Sequence, residues 1–311
     1  AGEEARRGPD PRGRTRALIK IQNGCDHGCA YCIVPRARGG PCSLSPERVL
    51  EELERLTAEG APEIVVSGVQ LGAWGVDLPG RPTLDGLLAR MADRLGDRSR
   101  LRLSSIEPWS LSDGLLELVG GHPRICPHLH VPLQSGDDRV LVAMNRGYRA
   151  AFWLERIGAA RRRIEGLGLG TDVLCGFPGE DEDAFARTIE VIAEAGVSYL
   201  HAFPFSPRPG TAAATMGSRP TREVARERVR RARALGEEAG RRFRSALAGT
   251  VREVAVERRR GANHAGITDN FVAVHVPGPD VRVGFLLPAR LELGPDPDRM
   301  TAVPEPRERI S

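Results

Sequence analysis

The chain has 311 residues, 41% of them apolar and 28% charged, with a formal net charge of +4. That is material for one large and one small core, which excludes both a single small domain and a disordered tail. No run approaches the roughly 18 uninterrupted apolar residues of a membrane span and no leader opens the chain, so a soluble, cytoplasmic protein without a membrane role is expected. Lys20 is the only lysine, and the other 44 of the 45 basic residues are arginine, a bias that with the abundant Ala, Gly and Pro reads as compositional. Between 219 and 260, however, 14 Arg stand against 6 Glu, which suits either a solvated helix face or an anionic partner.

In chain order, residues 1–14 carry Gly, Pro, Arg and Glu without periodicity and read as a disordered lead-in or linker. From 15 to 218 short apolar runs alternate with helical patterns. Strands are expected at 17–21, 64–67, 101–104, 128–132, 170–174 and 198–203, and helices near 46–58, 83–95, 111–119, 137–163 and 181–195. The fold class is α/β: six strand–helix units imply a parallel sheet rolled into an open, partial (β/α)6 barrel, with a doubly wound sheet as the alternative. A basic connecting helix follows over 219–247. Over 248–305, β-branched runs at 250–257, 263–268, 271–276 and 282–288 suggest a small all-β barrel of a kind often used on nucleic acid.

Parallel barrels gather chemistry at the carboxyl ends of their strands, and the unusual residues of this chain fall there. Cys25, Cys29 and Cys32 follow the first strand as a C-x3-C-x2-C run. Three crowded thiolates without a fourth nearby suit an iron–sulfur cluster with one open iron. A zinc site completed by Cys42, Cys126, Cys175 or His27, or a chance group of buried thiols, fits the spacing alone as well. Ser67, Gly68 and Gly72 follow the second strand, Ser105 and Glu107 the third, Gln134 the fourth, and Asp172 with Gly176, Pro178, Gly179 and Glu180 the fifth. Each group has a plainer reading as a turn or a helix cap. His128 and His130 share one strand face without an evident third metal ligand.

The cysteine triplet in that fold resembles the radical S-adenosylmethionine (radical SAM) superfamily. There, three cysteines hold a [4Fe–4S] cluster whose open iron chelates S-adenosylmethionine, and one electron cleaves it to a 5′-deoxyadenosyl radical. Tyr31 matches the aromatic residue that packs on the adenine. Further strings resemble the methylthiotransferase branch: KIQNGC at 20–25, CIVPR at 32–36, LHVPLQSG at 129–136, MNR at 144–146 with Tyr148, DVLCGFPGE at 172–180 and FPFSPRPGT at 203–211. RLSSIEP at 102–108 and CPHLH at 126–130 resemble the members acting on threonylcarbamoyladenosine in tRNA, and the last barrel resembles the branch's RNA-binding TRAM domain.

The resemblance implies a cluster held by Cys25, Cys29 and Cys32. It also implies an S-adenosylmethionine pocket made by Tyr31, Ser67, Gly68, Gly72, Ser105, Glu107, Gln134, Asp172, Gly176, Pro178, Gly179 and Glu180. Arg222, Arg226, Arg230, Arg258, Arg259 and Arg260 would meet tRNA, a flavodoxin or ferredoxin would donate the electron, and the chain would be a monomer. Sister enzymes acting on isopentenyladenosine in tRNA or on a ribosomal protein, and an RNA-binding module with a structural cluster, are the alternatives. The branch carries a second, sulfur-supplying [4Fe–4S] cluster in a preceding domain, whereas only 24 residues precede Cys25 here. A piece of a longer protein, or a protein without sulfur insertion, is therefore expected.

Overall fold

The structure, a computed structural model, describes residues 15–305 apart from 262 and 280. The lead-in expected over 1–14 lies outside the described residues. Strand β1 (Arg16–Asn23) alternates cleanly: Ala17, Ile19 and Ile21 are buried, while Arg16, Leu18 and Lys20 point the other way. After a short helix α1 (Val34–Arg38) and a two-residue strand β2 (Cys42–Ser43), helix α2 (Pro46–Ala58) lays Val49, Leu50, Leu53 and Leu56 into the same core. Ser45 caps α2 by accepting a hydrogen bond from the Arg48 amide, and Pro46 presets its first turn.

The unit then repeats through β3 (Glu63–Gly68), α3 (Leu84–Ala92), β4 (Arg100–Leu103), α4 (Asp113–Gly121) and β5 (His128–His130). It continues through α5 (Asp138–Ala143), α6 (Ala150–Arg163), β6 (Gly168–Cys175), α7 (Glu182–Ala195) and β7 (Tyr199–Pro204). β1, β3 and β4 form one parallel run, with β2 antiparallel on its outer edge, and β5, β6 and β7 form another. Parallel bridges at Leu101–Ile125 and Ser105–His130 join the two runs. Six parallel strands in chain order, with β1 and β7 not paired to each other, make the open partial barrel that the alternating pattern implies.

Helix α8 (Arg222–Leu247) packs along β7 and leads to five further strands, β8 (Val251–Arg260), β9 (Asn263–Thr268), β10 (Ala273–Pro277), β11 (Leu286–Leu293) and β12 (Met300–Pro304). These close in the order β10-β12-β11-β8-β9 around Val254, Val274, Val276, Leu291 and Met300. Helix α1 and strand β2 are not among the expected elements, and three further elements differ from expectation. The helix expected over 137–163 is two helices, because Asn145 adopts a left-handed φ of 56° and Asp138 turns to cap the Ala150 amide. The strand expected over 282–288 lies at 286–293, and β12 adds a strand beyond those expected.

The small barrel seats on the floor of the large one. Glu63 is fully buried between Arg100 and Arg102, at 2.7 Å from a nitrogen of each. The two guanidinium groups then donate to carbonyls of Glu253, Ile267, Thr268 and Asp269 on the small barrel. Phe271 (φ 70°) inserts beside them, its ring 4.5 Å from His128 and 5.2 Å from Tyr199, with Arg16 and Arg102 over its face. Gly168 is required here, since a Cβ would stand 1.9 Å from the Asn270 carbonyl oxygen. Burial pushes the Glu63 carboxyl up, but the two guanidinium groups outweigh it and hold it far below the usual carboxylate range. Its contribution to stability is therefore complete above its ordinary 4.5 and is lost only in strong acid.

Glu63→Gln leaves both cations in place without their counter-charge, and a loss of about 3–5 kcal/mol is expected in denaturant unfolding. A loss below about 1 kcal/mol would show that the triad does not hold the floor.

Candidate active site

The cysteine loop leaves the top of β1 through Gly24, whose φ of 73° and the 1.9 Å gap between a built Cβ and the Gly40 carbonyl oxygen exclude any side chain. Three distant segments pin the loop. The Cys25 amide donates to the Gly39 carbonyl, Ala30 and Met144 are joined amide to carbonyl at 2.9 Å, and the Ala213 amide donates to the Ala30 carbonyl. Asn145 Nδ2 donates to the Gly28 carbonyl at 2.8 Å. All three cysteines are free and half-buried; the Cys29 and Cys32 sulfurs both add to the rise of the Cys25 thiol, and Cys32 to that of Cys29, so the three lie close together. Burial pushes the Cys25 and Cys29 thiols up. The His27 amide, 3.4 Å from Cys25 Sγ, and the Arg146 guanidinium, 3.4 Å from Cys29 Sγ, work against it.

Arg146 is buried between Trp109 and Tyr148, its carbon 5.2 and 5.1 Å from the two ring centroids, and is ion-paired with Glu107. Its Nε has no partner among the described residues. Gln22 ties neighbouring strand ends: its Nε2 donates to the Asn23 and Gly24 carbonyls, and its Oε1 accepts from the Gln70 amide. Sequence reasoning placed neither residue in the site, although both stand inside the KIQNGC and MNR strings. Among the described residues, the one group of three His, Cys, Asp or Glu ligand atoms mutually within 4.8 Å is His130, Asp172 and His201. The cysteine sulfurs are spread wider than ligands of a single ion. Cys126 lies at the floor beside Glu63 and Cys175 at the end of β6, each thiol pushed up to about 12 by burial.

Inside the barrel, hydrogen bonds converge on Asp172. His130 Nε2 and His201 Nδ1 donate to its Oδ1 at 3.0 and 3.3 Å. The Tyr199 hydroxyl sits 3.0 Å from His130 Nδ1 and 2.8 Å from His128 Nε2, so one set of tautomers satisfies the whole relay: His128 to Tyr199 to His130 to Asp172. A phenol thus bridges the histidine pair, and the further ligand that spacing alone did not reveal comes from β6 and β7. Burial lowers His128 well below its ordinary value, which suits the neutral donor. Burial also raises Asp172, but the bonds from His130 and His201 prevail and hold it at about 2.

A family model described as the radical SAM superfamily matches residues 19–192, spanning β1, the cysteine loop and the barrel through α7. The chain belongs to that superfamily. Over 283 residues it is 35% identical to the threonylcarbamoyladenosine tRNA methylthiotransferase MtaB of Bacillus subtilis, covering 89% of this chain and 62% of that protein. The protein of the same description from Rickettsia prowazekii is 36% identical over 84% of this chain and 61% of its own length. A tRNA-2-methylthio-N(6)-dimethylallyladenosine synthase of Thermus thermophilus is 40% identical over 72% of this chain and 48% of its own. The chain thus spans about three fifths of the first of these relatives. Among solved structures, the radical S-adenosylmethionine methyltransferase TsrM of Kitasatospora setae shares the fold at 17% identity, covering 67% of this chain and 41% of that one with a TM-score of 0.55. Coproporphyrinogen III oxidase (HemN) of Escherichia coli does so at 17% identity over 73% and 53%, with a TM-score of 0.51.

The donor set fits the superfamily's cluster: three neighbouring thiols on a pinned loop, with an amide and a guanidinium aimed at two of the sulfurs. Of the radical SAM pocket residues expected from sequence, Ser67, Ser105, Glu107 and Gln134 stand at the strand ends around the loop. Gln134 holds a left-handed φ of 65° while its backbone bridges to β6. Tyr31 lies edge-on to Phe177 at 6.4 Å. Gly68 backs onto Gln22, where a Cβ would come within 3.1 Å, and Gly72 onto Ser110, where a Cβ would come within 2.1 Å. Gly176, Pro178 and Gly179 form the turn after β6. Glu180 is buried, accepting from the Gly176 amide and pairing with Arg228 of α8. Arg222, Arg226, Arg258, Arg259 and Arg260 are exposed, and Arg230 is exposed but paired with Glu227.

Because the Asp172 carboxyl is held low, its stabilising effect is full above its ordinary 3.8 and drains as the pH falls toward about 2. Asp172→Asn should therefore flatten the acid limb of the stability curve between about pH 4 and 2, read by thermal unfolding against pH. An unchanged limb would show that the histidines do not stabilise the carboxylate.

Proposed function

We propose that this chain is the radical-generating and RNA-holding part of a tRNA methylthiotransferase acting on carbon 2 of threonylcarbamoyladenosine beside an anticodon. Relatives of that description, matching 89% and 84% of the chain, support the branch. Relatives named for dimethylallyladenosine match comparably, so the choice of substrate rests on the interior of the barrel. There, His130, Asp172 and His201 form a polar wall. A threonylcarbamoyl group brings a hydroxyl and urea N–H groups to such a wall. A dimethylallyl group would desolvate the wall and return no hydrogen bond, a loss worth about 1–3 kcal/mol for each buried group left unpaired.

When bound, the cluster and S-adenosylmethionine supply one-electron bond cleavage, with the electron drawn from a donor such as flavodoxin or ferredoxin. The chain's own residues do the rest. Cys25, Cys29 and Cys32 hold the iron, and Arg146 offsets thiolate charge at Cys29 while Glu107 holds Arg146 in place. Gln22 and Asn145 fix the loop against the barrel mouth. The five-stranded barrel, which we read as TRAM-like, and the exposed arginines would hold tRNA phosphates.

Anaerobic reconstitution should load about four irons per chain and, with S-adenosylmethionine and dithionite, yield 5′-deoxyadenosine, both lost in Cys25→Ala. Loading without 5′-deoxyadenosine would favour an RNA-binding module with a structural cluster. An anticodon stem-loop bearing threonylcarbamoyladenosine should stimulate that yield more than one bearing dimethylallyladenosine, and the reverse order would overturn the substrate assignment.

Replacing Arg258, Arg259 and Arg260 together with Ala should lower the slope of log Kd against log salt by about 0.7–0.9 for each phosphate that these arginines no longer neutralise. An unaltered slope would remove this strand from the RNA footprint.

A further inference from the structure

Lys20 is the one lysine in a chain that uses arginine at every other basic position. It lies on the interior face of the barrel. Arg16 on the same strand reaches the floor, over Phe271, which touches His128 and Tyr199. Leu18 and Lys20 follow at two-residue intervals on that face, while Ala17, Ile19 and Ile21 pack outward against the helices. Lys20 stands in register with Ser67 of β3, the Ser104 amide bonds Val66 beside it, and Ser105 bridges to His130. Across the barrel, Asp172 is in register with His201.

Other cations near the barrel's interior have a carboxylate partner: Arg16 has Glu257, Arg100 and Arg102 have Glu63, and Arg146 has Glu107. Lys20, half-buried, has neither an ion pair nor a side-chain hydrogen bond among the described residues. Two further observations mark the space beside it as one that receives a ligand. Leu18 and Phe203 face inward from β1 and β7 yet remain 48% and 49% exposed, so the interior is open between them. Ser104 Oγ is buried with no partner among the described residues. Asp172, the carboxylate across the barrel, is already engaged by two histidines.

We propose that Lys20 binds the carboxylate of the substrate's modified base and thereby selects a threonylcarbamoyl group over an uncharged one; this rests on the substrate reading given above. A compact ammonium with rotatable donors on a flexible stem can reach one carboxylate oxygen from the strand, where the wide planar fork of an arginine would fill the opening beside Leu18. The contact gains strength because it forms inside the barrel and not on a solvated surface. Ser104 supplies a neutral donor on the neighbouring face. Asp172 repels a second anion and so favours a pose with the carboxylate toward β1 and the urea and hydroxyl groups toward β6.

The test uses the reconstituted full chain and three anticodon stem-loops of one sequence. At the target position they carry threonylcarbamoyladenosine, its methyl ester or unmodified adenosine. Fluorescence anisotropy gives Kd for the wild type, Lys20→Met and Lys20→Arg, with thermal unfolding as the check that each variant folds. The wild type should bind the acid about tenfold more tightly than the ester, the effect of one charge-assisted hydrogen bond. The ratio should fall to about one in Lys20→Met and partly recover in Lys20→Arg. If Lys20→Met keeps the wild-type ratio, or if the wild type binds acid and ester equally yet both better than unmodified RNA, the role of Lys20 is overturned while the substrate assignment stands. If the wild type binds the acid no better than unmodified RNA, the substrate assignment itself falls.

Discussion

The structure depends on one buried charge. Glu63 would be costly to bury alone, and it is tolerated because Arg100 and Arg102 close on both of its oxygens. The same two arginines still have donors to spare, and those donors reach backbone carbonyls of the second barrel. A charge cluster that satisfies every member therefore requires both barrels to be docked. Undocking would leave two guanidinium groups at 2% exposure facing water through an opened floor, with four carbonyls unpaired. The floor is closed by polar chemistry, and Phe271 seals what the ion pairs leave open.

With the floor closed, the open work of the barrel falls to its mouth and middle. Among the strands, β1 reaches the cysteine loop through Gln22, which donates to the Gly24 carbonyl. The longer-range contacts that fix the loop come from the segment after α5, through Met144, Asn145 and Arg146, and from Ala213 beyond β7. These segments follow β5 and β7 of the second run of strands, whereas β1 belongs to the first. Loop position thus reports barrel curvature, and a distortion on either side would reach the cysteines through backbone hydrogen bonds of about 2.7–2.9 Å. Arg146 carries an electrostatic form of the same link, since its charge is shared between Glu107 after β4 and Cys29 after β1.

The strands were legible as short apolar runs set between helical patterns, with a period of two in β1, and the cysteines because thiols at that spacing have few other uses. What stayed illegible is long-range. Arg146 lies 117 residues from Cys29, and no periodicity encodes that pairing. His201 reads as an ordinary strand residue until β6 places Asp172 beside it. The break between α5 and α6 was hidden because Asn145 looks like a tolerable helix residue; its side chain is taken by Gly28, and the backbone follows. Strand β12 is five residues ending in proline, and it exists because β10 and β11 flank it, not through any propensity of its own. Glu180 had the right address for a ligand pocket, but the arginine that claims it is 48 residues further on.

The surplus of arginine after residue 218 divides on the same principle. Arg228 and Arg231 pair with Glu180 and Glu182 and clamp α8 to the turn after β6, Arg233 donates to the Ala202 carbonyl of β7, and Arg252 pairs with Asp269 beside the floor. Arg241 and Arg242 share Glu238 along the helix. Seven of the 14 arginines between 219 and 260 thus have a carboxylate partner, and a count of charges overstates the field that a polyanion would meet. Arg222 and Arg226 at the start of α8, and Arg258 and Arg260 at the end of β8, have no ion pair among the described residues, and a phosphate approaching them need displace no carboxylate. Displacing a partner from an exposed pair costs little, but displacing one from Arg228 would strand a buried glutamate. Binding strength should accordingly follow these few unpaired positions and not the basic stretch as a whole.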